Sequence, residues 1–325
     1  MRSGDRRVTV LDASGVGPGG ITRMLQELVR HWPAEHDLRL VAAPVEFTGP
    51  AEIVVSRQSG GRSATIATAF AALRRERHGR VLSLSPSVAA VGARLPVTTI
   101  VHDLAFRLWP QGLSRSVVAY RGLSYATALR RSAGLLCVSG RTRHDLLGLY
   151  GAAGERATVW HPGSDLAAVG VAPPLPADYV VVAGHAPHKG VELAIEAIRV
   201  FPRYTLVVLT GGTRHFHDAT GATVFLDRLD DAAYAATVAG AAAFVMPSHF
   251  EGFGLPAAEA LALGTPTIVS PDPALHEATA GAAIRMRSWS VEALVEALGR
   301  IEKPGPVTVR TWREATVDLV ERLWR

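Results

Sequence analysis

One stretch limits what this chain can become more than any other. Ala243-Phe244-Val245-Met246 is an apolar run of strand length. Gly252 and Gly254, on either side of Phe253, then allow a tight loop whose backbone can approach a ligand. Pro256 suits a first helical turn, where its missing N–H costs nothing. Ala257 to Leu263 forms helix readily, Gly264 and Thr265-Pro266 stop it, and Thr267-Ile268-Val269 reads as the next strand. A glycine loop therefore opens a helix at the carboxyl end of a strand expected to be parallel. In open α/β sheets that is where ligands bind, and free helix N–H groups there favour phosphate.

Glu251 sits in the loop and Glu259 about one turn into the helix, with seven residues between them. With Gly-Phe-Gly-Leu-Pro inside, this spacing resembles the E-x7-E signature of retaining glycosyltransferase family 4, which has the GT-B fold. The resemblance implies an α/β chain of two Rossmann-like parallel-sheet domains facing across a cleft, with a C-terminal helix crossing back to the first domain. The expected divisions are 1–168 for an acceptor-side domain, 169–305 for a nucleotide-sugar-binding domain, and 306–325 for the returning helix.

Length and composition agree with a two-domain globular chain. The chain has 325 residues, 48% of them hydrophobic and 19% charged. No apolar run reaches membrane-spanning length and no signal peptide is visible, so a cytoplasmic location is expected. Cys137 is the single cysteine, set among Leu135, Leu136 and Val138, and reads as a core residue. The net charge is +5, carried almost wholly by arginine, with lysine only at positions 189 and 303. No nucleic-acid module is visible, and substrate phosphates account for part of the charge. The helix expected over Ile66 to Arg77 carries Arg74, Arg75 and Arg77 on a solvated face, which leaves peripheral membrane contact open.

In the first half, Arg7 to Leu11 reads as a strand and Ile21 to Val29 as an amphipathic helix. Between them Gly15, Gly17 and Gly20 spell G-x-G-x-x-G, which alone supports a dinucleotide-binding domain. The acidic residue such a domain needs after its second strand is missing, for Leu38 to Ala42 runs into Ala43-Pro44. Gly19 and Gly20 instead resemble the family's first glycine loop, which reaches toward donor phosphates and acceptor. Val97 to Val101 runs into His102-Asp103, which resembles the family's HD element. That histidine can hydrogen-bond a sugar hydroxyl, and Asp103 can orient it or meet an acceptor hydroxyl. The segment Phe106 to Pro110 continues the match.

In the second half, the strand Tyr179 to Val182 leads into Gly184-His185-Ala186-Pro187-His188-Lys189-Gly190. The family places an arginine and a lysine here against the donor diphosphate. Lys189 matches the lysine; the arginine is absent, and His185, His188 or Arg23 are the candidates to replace it. Gly211 ends another strand, and Leu229 lies in the turn that the family sets near the nucleotide base.

The resemblance implies a retaining glycosyltransferase that moves a sugar from a nucleotide diphosphate sugar to an acceptor hydroxyl. No Asp-x-Asp motif offers a metal site, and no cofactor is expected. The expected catalytic residues are His102, Lys189 and Glu251. The expected binding residues are Gly19, Gly20, Asp103, Gly184, His185 and His188, then Gly211, Leu229, Gly252, Phe253, Gly254, Leu255 and Glu259. Other GT-B activities (an epimerase or a phosphorylase) and an inactive sugar-nucleotide-binding partner subunit are the rival readings.

Overall fold

The computed structural model describes the chain apart from residues 1–5, 18, 45, 46, 48, 57–60, 112, 168, 169, 185, 212–222, 304 and 306. It divides into two compact units. Unit 1 comprises Met1–Leu108, Leu113–Gly163 and Thr311–Arg325; unit 2 comprises Trp109–Gly112 and Ser164–Arg310. The outgoing and returning segments are hydrogen-bonded where they meet, Ser164 N donating to Arg310 O at 2.9 Å.

Among the described residues, unit 1 is built on seven strands: β1 (Val8–Asp12), β2 (Asp37–Ala43), β3 (Glu52–Ser56), β4 (Arg80–Ser83), β5 (Val97–Val101), β6 (Gly134–Cys137) and β7 (Ala157–Val159). They lie in the order β3-β2-β1-β4-β5-β6-β7, every pair parallel. The order reverses between β1 and β4, which makes that junction the switch point of the sheet. Parallel sheets are covered on both faces, and the strands are accordingly near-continuous apolar runs. Val10, Val41, Val81 and Val97 pack with Ala69 and Leu73 of the helix Gly61–Arg75. Farther along, Val101, Leu135 and Cys137 pack with Phe106, Tyr125 and Leu146. Cys137 is thus a core side chain, and burial pushes its thiol up to about 12.

Two features of the sheets differ from the sequence expectation. The helix ending at Arg75 begins at Gly61, five residues before the start of its apolar pattern. Strand β3, with a run of only three apolar residues (Ile53-Val54-Val55), and, in unit 2, the two-residue β13 (Ile284–Arg285) are not among the expected strands. Both are edge strands, and β3 leaves every side chain at least partly exposed.

The helix Trp312–Leu323 belongs to unit 1. Thr311 and Glu314 form a capping box that fixes its start. Its apolar stripe, Trp312, Ala315, Leu319, Val320 and Leu323, is buried. Trp160 donates its indole N–H to Ala315 O at 3.0 Å, and Arg322 donates to Val159 O at 3.0 Å. Gly163 makes the approach possible: a Cβ there would lie 2.4 Å from the Trp312 backbone.

Unit 2 holds β8 (Tyr179–Ala183), β9 (Thr205–Leu209), β10 (Thr223–Leu226), β11 (Ala243–Met246), β12 (Thr267–Val269) and β13. Among the described residues these six run in the order β10-β9-β8-β11-β12-β13, again all parallel. The period of two along β8 serves both faces. Val180 and Val182 meet the helices Val191–Val200 and Val291–Leu298, while Val181 meets Phe244, Ala257 and Leu275. The switch point lies between β8 and β11. No helix of the described residues is long and apolar enough to cross a membrane.

Candidate active site

In unit 2, adjacency of β8 and β11 brings together two loops that are far apart in sequence. The loop after β8 contains a short 3-10 turn, Pro187–Lys189; the loop after β11 leads into the helix Leu255–Ala262. His249 N donates to His188 O at 2.7 Å, and Gly190 lies so close to Pro247 that a Cβ would sit 2.4 Å from its carbonyl oxygen. Gly190 also has φ of 71°, so glycine is required there twice over.

This clasp sets Lys189 against Glu251. Lys189 Nζ donates to both carboxylate oxygens, at 2.8 and 3.0 Å. The Glu251 side chain is 8% exposed and that of Lys189 24%. Glu251 N donates to Asp272 Oδ2 at 3.2 Å, and Asp272 Oδ1 caps the helix Pro273–Ala278 through Ala274 N. Asp272 is a supporting residue that sequence reasoning missed. A lone acidic residue between Pro271 and Pro273 carries no signal beyond a turn.

Gly252 and Phe253 complete the loop, Gly254 is the N-cap of the helix, and Leu255 opens it. First-turn N–H groups lack intrahelical acceptors, so this end offers donors and a positive dipole. Glu259 lies on the same helix, nearly fully buried, and accepts from Tyr234 Oη at 3.3 Å. Gly184 follows β8 and donates to Leu209 O. Gly211 lies two residues past the end of β9, exposed, just before residues outside the description. Leu229 packs on the core beside the helix Asp231–Ala239, which Asp230 caps. His185 lies outside the described residues.

Unit 1 gathers a second set at its own switch point. A cavity of about 130 Å³ opens beyond the carboxyl ends of β1, β4 and β5. Gly15, Gly17 and Ile21 line it from the first loop, Ser85 and Pro86 from the second, His102 and Asp103 from the third. Arg62, Tyr120, Arg121 and Tyr125 complete its wall. Gly19, between the lining residues Gly17 and Ile21, is the N-cap of the helix Gly20–Arg30.

His102 Nε2 donates to Leu84 O at 2.6 Å, which leaves Nδ1 as the acceptor of a neutral ring. Burial holds its pKa below the ordinary value, against the opposing pull of the Leu84 carbonyl and Asp103. Asp103 Oδ1 accepts from Ala105 N, and its carbonyl accepts from Tyr125 Oη at 2.7 Å. Underneath lies Asp12, fully buried at the end of β1, accepting from Ser14 N at 2.9 Å and Ser83 Oγ at 3.0 Å. Ser14 and Ser87 share a further hydrogen bond of 2.7 Å. Asp12 therefore ties the first and second loops together, a role its place at a strand end did not announce. Burial raises its pKa, against the lowering effect of these donors. Among the described residues no cluster of three or more His, Cys, Asp or Glu side chains is placed to hold a metal ion.

Known proteins share this architecture. The sucrose-phosphate synthase (tll1590) of Thermosynechococcus elongatus is similar in structure, with a TM-score of 0.67 at 16% identity over 98% of this chain and 95% of that one. The chain has the GT-B fold. Anabaena Alr3699/HepE, solved in complex with UDP and glucose, is another GT-B neighbour, with a TM-score of 0.67 at 17% identity over 91% of this chain and 89% of that one. Residues 18–168 match the family model described as Glycosyltransferase Family 4, and residues 177–303 the one described as Glycosyl transferases group 1. Two glycosyltransferase models thus divide this GT-B chain between them. A glycogen synthase of Mycobacterium tuberculosis is 33% identical over 187 residues, or 52% of this chain. The chain spans 44% of the length of that curated relative.

Proposed function

We propose that the protein is a retaining glycosyltransferase that moves a sugar from a nucleotide diphosphate sugar to an acceptor hydroxyl without an obligatory metal. The observation that carries this reading is the Lys189–Glu251 pair beside the N-terminus of the helix Leu255–Ala262, at the switch point of unit 2. A leaving diphosphate gathers negative charge as the sugar becomes oxocarbenium-like. A lysine and a helix N-terminus are the groups that stabilise that charge, a role a metal fills in other transferases. On donor binding Lys189 turns from Glu251 to the diphosphate, and Glu251 is released toward the sugar. Glu259, steadied by Tyr234, holds the ribose hydroxyls. His102, neutral, accepts a hydroxyl hydrogen at Nδ1, and unit 1 takes the acceptor. The acceptor oxygen attacks on the face that the diphosphate leaves, the sugar–phosphate bond breaks as the new C–O bond forms, the acceptor's proton passes to the departing diphosphate, and the anomeric configuration is retained.

The glutamates provide the test. A contact to ribose is alike in ground and transition states, so Glu259→Ala raises KM and weakens free nucleoside diphosphate. A contact to the reacting sugar strengthens in the transition state, so Glu251→Ala lowers kcat with nucleotide affinity little changed. The donor is first chosen by a thermal-shift screen of UDP-, GDP-, ADP- and dTDP-sugars. The reverse pattern, or turnover of donor to an epimer without any acceptor, overturns the reading.

A further inference from the structure

Pro247, Ser248 and His249 lead toward Glu251, belong to no strand or helix, and are each held from elsewhere in unit 2. Ser248 O accepts from Ser270 Oγ at 2.5 Å, and His249 N donates to His188 O at 2.7 Å. Pro247 O accepts from the indole N–H of Trp289, also at 2.5 Å. Trp289 meets this segment a second time. Its ring stacks on that of His249, with centroids 3.3 Å apart and planes 29° from parallel. The other face of His249 meets Trp109, also of unit 2, at 4.5 Å.

Core packing does not account for Trp289. It belongs to neither of the apolar layers that cover the unit 2 sheet, and it is 38% exposed. Its backbone is anchored, because Ser290 caps the helix Val291–Leu298 through Ala293 N. Its hydrogen bond ends on the carbonyl against which Gly190 packs, where the loops of Lys189 and Glu251 touch.

We propose that Trp289 is a positioning residue for Glu251, a clamp on the segment that carries it. The clamp rests on this geometry alone; what Glu251 does for the reacting sugar rests on the transferase reading. The indole N–H holds the Pro247 carbonyl at Gly190, and the stacked ring keeps His249 from turning away. Glu251, two residues on, thereby stays against Lys189. Without the indole the segment can drift from Gly190, and a shift of about 1 Å is enough to cost on the order of 10²-fold in rate. Glu259 is held by its own helix, so nucleotide binding does not depend on the clamp.

The lysine content allows a test without any substrate. Lysine occurs only at 189 and 303, and Lys303 is exposed, so it serves as an internal reference. Trace acetic anhydride, with mass spectrometry, gives the reactivity of Lys189 relative to Lys303 in the folded chain. Pairing with Glu251 favours the charged, unreactive amine. The ratio should therefore rise severalfold in Trp289→Leu, and by less in Trp289→Phe, which keeps a ring and loses the N–H. With the donor found by the screen, kcat should fall about 10²-fold in Trp289→Leu, with Trp289→Phe between it and wild type. The Kd of the nucleoside diphosphate should be unchanged in both. A lowered Tm with an unaltered labelling ratio makes Trp289 a merely stabilising residue and overturns the clamp. So does a wild-type kcat in Trp289→Leu. Absence of transfer by the wild-type protein, alongside the raised Lys189 reactivity in the variants, would instead overturn the transferase reading and leave the clamp standing.

Discussion

Replacing Lys189 by Met tests the ion pair independently of any activity. The change keeps side-chain volume but leaves the Glu251 carboxylate, 8% exposed, without its two hydrogen bonds of 2.8 and 3.0 Å. Removing one partner of a buried pair costs roughly 3–5 kcal/mol, because the other charge is stranded. Lys189 is 24% exposed, so water reaches the site and the lower end, about 3 kcal/mol, applies. For a unit of this size that is a fall in Tm of roughly 6–12 °C, measured by scanning calorimetry at pH 7. The double variant Lys189→Met/Glu251→Gln strands no charge and should regain more than half of the loss. A single variant within 1 kcal/mol of wild type at pH 7, or a double variant no more stable than Lys189→Met, would refute the argument (threshold about 1 kcal/mol, the worth of an exposed pair).

Three further outcomes are expected. His102 has a lowered pKa, so its neutral form supports the fold fully above about 6.5, its ordinary value, and that support erodes as pH falls below it; urea titrations at pH 7.5 and 5.5 should show a smaller acid loss for His102→Gln than for wild type. Cys137, its thiol pushed up to about 12 inside the core, should resist Ellman's reagent in the native protein and react at once in guanidinium. Gly163→Ala forces a Cβ to within 2.4 Å of the Trp312 backbone, and should lower stability by about 2 kcal/mol or more, read as early melting of unit 1 with unit 2 unchanged.

How much of this was visible in the sequence depends on the range of the contact. The run from Ala243 to Val269 declares strand, loop, helix and strand because each transition is written in local chemistry: an apolar run, glycines, a proline, a stop. Central strands were equally legible, since burial on both faces demands continuous hydrophobicity. The edges β3 and β13 escaped because the first is a short run left largely exposed and the second has only two residues. For the site, Lys189 and Glu251 each stood out beside a strand end. Their mutual ion pair did not, because it depends on β8 lying next to β11, a fact of strand order and not of pattern. Asp12 and Asp272 look like ordinary turn residues until burial and partners are known. Arg62, Tyr120 and Arg121 come from helices whose faces meet only in the folded unit, and in an arginine-rich chain nothing local singles them out.

The two crossings of the chain, at Gly163–Ser164 and Arg310–Thr311, carry a consequence for synthesis. Apart from the short segment 109–112, unit 2 is an uninterrupted insert in the sequence of unit 1. A chain emerging from the ribosome can therefore finish unit 2 while unit 1 still waits for its last fifteen residues, Thr311–Arg325. Until these arrive, Trp160 and the apolar groove that takes Leu319 and Leu323 stay uncovered, and the older half of the nascent chain is the more exposed to chaperones and proteases. A stop codon near position 310 would thus injure the part of the protein translated first.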